Sequence, residues 1–117
     1  MQFLVYDPNQ TGEPSEPPTP EFMATMGAFI AEATKAGVIV TTGSLMPQGT
    51  RLRLSGGNFT VTDGPFIEVK ELTGGFAVIE VPSLEAAIEW SKRFREIVGE
   101  GETEIVRLFG PSDFGSA

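Results

Sequence analysis

The chain's candidate chemistry lies in the run from residue 63 to 71, where Asp63, Glu68, Lys70 and Glu71 follow one another closely. Arg51 and Arg53 stand a short way upstream. Carboxylates, an amine and guanidinium groups drawn into one cleft perturb one another's proton affinities, and such a cluster can move protons or hold a small polar ligand. On this reading Asp63, Lys70 and Glu71 are the candidate catalytic groups. Arg51, Arg53, Glu68, Phe66 and the hydroxyl of Tyr6 are the candidate ligand-binding groups. Two plainer readings stand beside it: Asp63 caps the turn made by Gly64-Pro65, and the loop charges are simply solvated.

What is missing narrows the chemistry further. The chain has no histidine and no cysteine, which excludes Ser–His and Cys–His nucleophile pairs, thiolate metal sites and histidine-anchored transition-metal centres. No glycine-rich phosphate loop follows a strand, and no acidic spacing matches a calcium loop. No cofactor and no metal are expected. Proton transfer, if any, falls to carboxylates, Lys70, Tyr6 or a substrate's own groups.

The charged run must be positioned by what surrounds it. Residues 50–54 and 59–62 alternate as two strands joined by Ser55-Gly56-Gly57-Asn58, whose glycines permit the positive φ of a tight turn. Pairing across that turn sets Leu52 opposite Val61 and Leu54 opposite Phe59 on one side, with Arg53 opposite Thr60 and Arg51 opposite Thr62 on the other. Continuing the alternation places Asp63 on the side of Phe59 and Val61, toward apolar surroundings. A carboxylate so placed requires amides or a cation nearby.

Around this hairpin the pattern is regular. Residues 2–6 read as a central strand, and residues 7–20 as a proline-rich loop. Thr19, Pro20 and Glu21 open an amphipathic helix whose inner stripe is Phe22, Met26, Phe29, Ile30 and Ala33, stopped at Gly37. A strand over 38–42 follows. After the hairpin and charged run, residues 76–81 form a strand and Ser83 caps a second helix. Its inner face is expected to be Leu84, Ala87, Ile88, Ser91, Phe94 and Val98, with Trp90 on the flank. A last strand spans 104–109, leaving 110–117 as a flexible tail.

Strand, helix, strand, hairpin, strand, helix, strand is the split β-α-β order of an α+β ferredoxin-like sandwich with an inserted β-hairpin, in one domain over residues 1–117. Both helices would cover one face of the sheet. The other, apolar face is expected to be covered by a second copy, giving a homodimer. A net charge of −8 repels nucleic acid, no apolar run reaches the ~20 residues of a membrane span, and no secretion signal opens the chain. The cytoplasm is the expected compartment.

The segment Asp63-Gly64-Pro65-Phe66-Ile67-Glu68-Val69-Lys70-Glu71, followed by Gly74-Gly75-Phe76, closely resembles the signature of the DGPF branch of the YCII-related family. The resemblance extends over nearly the whole chain and includes Ala36 to Val38, Leu45 with Pro47, and the capped helix through Trp90. It implies a dimeric α+β barrel in bacterial proteins mostly of unknown function, some of which accompany alternative sigma factors. Founding members of the wider family resemble enzymes through a His–Asp pair in a cleft, which this histidine-free chain does not carry. Three functions remain open: a dimeric small-molecule-binding or auxiliary protein, a carboxylate-dependent enzyme of isomerase or lyase type acting on a small oxygenated substrate, and a partner of a transcription regulator.

Overall fold

The structure, a computed structural model, describes residues 1–9, 18–46, 48–64, 72 and 74–113. Its elements follow the expected order: β1 (Gln2–Tyr6), α1 (Pro20–Lys35), β2 (Ile39–Gly43), β3 (Gly49–Ser55), β4 (Asn58–Gly64), β5 (Phe76–Glu80), α2 (Leu84–Val98) and β6 (Glu104–Leu108), then a short 3-10 turn at Pro111–Asp113. Four strands form an antiparallel sheet in the order β2-β5-β1-β6, and β3 and β4 form a separate two-stranded ribbon. That order is the ferredoxin-like one, in which each strand–helix–strand unit leaves room for a strand of the other unit between its own two.

Local sequence explains the helix ends. Thr19 Oγ1 accepts a hydrogen bond from the Phe22 amide at 3.1 Å and Pro20 occupies the first turn of α1. Ser83 Oγ accepts from the Ala86 amide at 3.1 Å at the start of α2. Each satisfies an amide that no helical carbonyl can reach. The hairpin turns through Gly56 and Gly57, at φ 59° and 81°, a left-handed pair that residues with a Cβ rarely adopt.

Both helices cover the same face of the sheet. The core is small: Phe3, Val38, Ile79 and Val81 from the sheet side meet Ala33 of α1 and Ala87 of α2. Leu84 and Ile88, expected on the inner stripe of α2, are exposed, while Ile30 of α1 is partly exposed and lines the space between the helices and the sheet. The opposite sheet face carries Leu4, Val78 and Val106, aligned across β1, β5 and β6 by the strand register, and no element among the described residues covers it. The sheet remains open and does not close into a barrel within one chain.

Past the last strand, Asp113 pins the chain back. One carboxylate oxygen accepts from Arg107 Nη2 at 2.7 Å and the other from the Gly110 amide at 2.8 Å. Residues 110–113 are therefore held, and only 114–117 of the expected tail lie outside the described residues.

Candidate functional site

The hairpin keeps the predicted register over its whole length, from Gly49 opposite Gly64 to Ser55 opposite Asn58. Thr50 stands opposite Asp63, and its hydroxyl donates to Asp63 Oδ1 at 3.0 Å. Asp63 shares a face with Val61 and Phe59 as the alternation requires, yet that face is open to solvent in the single chain. A threonine hydroxyl is thus its recorded partner. Arg51 and Arg53 project from the other face, and Lys70, Glu71, Glu68 and Phe66 lie outside the described residues. Tyr6 stands apart from the hairpin in β1, donating to Glu104 Oε2 at 2.8 Å across the β1–β6 pairing.

A half-open cavity lies elsewhere among the described residues. Between the helix-covered sheet face and the two helices is a cavity of about 400 Å³. Met26 and Phe29 of α1 and Trp90 and Phe94 of α2 line one side, with Val5 and Ala77 of the sheet on the other. Its composition follows from the contact alanines: where α1 and α2 part, the small side chains Ala33, Ala77 and Ser91 leave volume that the aromatic rings border without filling. Phe29 and Trp90 meet at 6.0 Å between ring centroids and 52° between planes.

One end of the cavity is polar. Asp7, Ser44 and Thr103 line it, at the ends of β1 and β2 and before β6, beside Gly74-Gly75 at the entry to β5. Arg95 organises this end. Its guanidinium reaches Asp7 Oδ2 at 3.4 Å and Thr103 Oγ1 at 3.3 Å, and donates to the carbonyls of Glu102 at 2.8 Å and Gly99 at 3.2 Å. Asp7 Oδ1 in turn accepts from the Asn9 amide at 2.8 Å. These polar groups already satisfy one another, so the cavity's end is a built wall rather than an exposed acid or base. Its chemistry suits holding an apolar, ring-containing molecule more than the small polar ligand expected from the charged run.

Over the flank of the cavity, Arg93 bridges α2 to Glu32 of α1 while its guanidinium lies 4.8 Å from the Trp90 ring centroid and 5.3 Å from that of Phe29. The hydrogen bond from Arg93 holds the Glu32 carboxyl below its ordinary value of 4.5, and the same bond raises Arg93. Because Glu32 is lowered in the folded chain, the favourable contribution of this clasp is present above that ordinary value and fades as pH falls through the lowered one. Arg93→Ala should return the Glu32 midpoint to the ordinary carboxylate range in a carboxyl NMR titration. An unchanged midpoint would show that the clasp does not form in solution.

Helical spacing places Met26, Phe29 and Phe94 on inner stripes, where a Met and Phe stripe is core in most proteins and ligand-binding in a few; the structure puts all three on the cavity wall. Residue types gave no signal for it, because the sheet side facing the rings carries Val5, Val38, Ile39 and Ile79 as a filled core would.

Comparison with known proteins bears on which family this fold and site belong to. The YCII-related domain profile matches residues 1–109. The chain belongs to the YCII-related family. A relative, an uncharacterized protein of Rhizobium meliloti (strain 1021), is 29% identical over 99 residues, 80% of this chain and 80% of its own length. The matched range takes in all the strands and both helices described above, so the residues lining the cavity of this YCII-related domain lie within it. Among the described residues, no helix is long and apolar enough to cross a membrane.

Proposed function

We propose that this chain is a homodimeric, cytoplasmic small-molecule-binding protein of the DGPF branch, and that its ligand is a small, ring-containing, largely apolar molecule held between the helices and the sheet. The carrying observation is the cavity of about 400 Å³ with aromatic rings from both helices on its wall, since ligand sites are typically apolar spaces of ~300–1,000 Å³ with a few polar groups at one end. The Asp-Gly-Pro-Phe run at residues 63–66 supports the branch. The uncovered apolar face of the four-stranded sheet supports a second copy as its cover, forming the dimeric barrel that one chain cannot close.

Trp90 is the single tryptophan of the chain and lines the cavity, so its emission reports occupancy directly. Titration with toluene, phenol or p-cresol should shift or quench that emission and raise the unfolding midpoint. Ser91→Phe, which places a ring in the cavity from a buried wall position, should abolish both responses in a chain that remains folded. Asp63→Asn should bind like wild type, because Asp63 does not line the cavity. Absence of any response in wild type, or an undiminished response in Ser91→Phe, would refute the assignment.

A further inference from the structure

The polar end of the cavity has hydrogen-bonding capacity beyond what its own contacts use. Asp7 Oδ2 accepts from Arg95 Nη1 at 3.4 Å and Oδ1 from the Asn9 amide at 2.8 Å, whereas a carboxylate offers about four lone-pair sites. Thr103 Oγ1 accepts from Arg95 Nη1 at 3.3 Å, which leaves its O–H to donate. Both side chains line the cavity, and Ser44 adds a further hydroxyl at the same end. Arg95 is not part of that lining. Its guanidinium contacts Asp7 and Thr103 from behind and is turned to the carbonyls of Gly99 and Glu102. A molecule in the cavity therefore meets a carboxylate and hydroxyls rather than the cation.

Charge decides which polar group fits there. Arg95 already balances Asp7, so a cationic ligand would add a second positive charge to one carboxylate and be desolvated without a counterion of its own. An anionic ligand would face the Asp7 oxygens in a space whose other walls are apolar, with the guanidinium turned away. A neutral group carries neither cost. It must donate a hydrogen bond, because Asp7 can only accept one. A hydroxyl serves both sides at once, donating to Asp7 while its oxygen accepts from Thr103.

We infer that the ligand is a neutral phenol, its ring against Phe29, Trp90 and Phe94 and its hydroxyl donating to Asp7 and accepting from Thr103. The inference rests on the cavity-binding function proposed above and names the class of molecule bound. Asp7 is then the specificity-determining residue, and Arg95 positions it. The apolar wall selects for ring size alone, whereas a hydrogen bond to a charged acceptor is about twice as strong as one to a neutral acceptor. Asp7 thereby separates rings of equal size by whether they carry a donor.

Toluene, p-cresol and p-methylanisole, whose hydroxyl is capped by a methyl group, test this when titrated against the full chain with Trp90 emission and the unfolding midpoint as readouts. Wild type should bind p-cresol about 10-fold more tightly than either of the others. A cavity with no acceptor would give the opposite order, because burying an unpartnered hydroxyl is costly. In Asp7→Leu, which keeps the shape of the side chain without its lone pairs, toluene should become the tighter ligand of the two. Where Asp7→Leu no longer folds or no longer binds toluene, Asp7→Asn replaces it. Its uncharged amide oxygen should shrink the preference for p-cresol to about 3-fold. Toluene binding wild type at least as tightly as p-cresol, or a preference undiminished in the variant, would overturn the phenol assignment and leave the cavity-binding function standing. Silence of both readouts to all three probes would overturn both.

Discussion

Phe3→Ala is expected to lower the stability of the folded chain by about 3–5 kcal/mol, the usual cost of removing a buried aromatic ring. Phe3 lies at the centre of the four-stranded sheet, paired with Ile79 of β5 and Arg107 of β6, and is 4% exposed. It is the largest side chain in a core otherwise built from Ala33, Val38, Ile79, Val81 and Ala87. Few neighbours are bulky enough to move into the vacated volume, which puts the loss at the upper part of that range. Against a total of about 5–15 kcal/mol for an ordinary domain, this leaves the variant near its limit. Denaturant unfolding at fixed protein concentration measures it, since dimer formation would otherwise shift the midpoint. A loss below ~1 kcal/mol would mean that the ring is not packed as described. Phe3 does not line the cavity, so whatever fraction stays folded should still bind the probes that perturb Trp90.

Arg95→Met should be the next most damaging single change, at about 2–3 kcal/mol, and unlike Phe3→Ala it should also weaken ligand binding. The methionine keeps most of the aliphatic stem but removes every donor. The carbonyls of Gly99, Glu100 and Glu102 lose their guanidinium partner, and Asp7 loses its cation. The Arg95 and Asp7 side chains are 20% and 23% exposed, so solvent compensates only part of the loss. The loop from α2 to β6 and the end of β1 would then separate at the cavity's polar end. Gly101→Ala approaches the same clasp from the other side. A Cβ there would lie 2.6 Å from Arg95 Nη2, at a backbone φ of 150°, so a smaller loss of about 1 kcal/mol is expected. Thermal unfolding and Trp90 titration of both variants test the clasp, and a wild-type profile from Arg95→Met would remove it from the site.

Much of this architecture was legible from residue order because its causes are local. Thr19 and Ser83 cap amides three residues ahead of them, and Gly56-Gly57 turns a hairpin whose register then follows from strict alternation. Periodicity likewise assigned Phe3, Ala33 and Ala87 to an interior. The strand order β2-β5-β1-β6 followed from the succession of elements, because a split pair of strand–helix–strand units has few other ways to close.

The site was legible only in part. Alternation correctly put Asp63 on the side of Phe59 and Val61, but whether that side meets protein or water depends on what packs against the hairpin. Helical spacing gave Leu84 and Ile88 the same inward standing as Ala87, yet Ala87 is buried and those two are exposed. Arg95 gathers Asp7, Gly99, Glu102 and Thr103, and Phe29 meets Trp90. The sequence by itself thus determined elements, caps, turn and topology, each set by neighbours a few positions away. Only the tertiary structure decided where a cavity opens and which apolar faces stay bare, since volume left between layers depends on how closely distant segments approach.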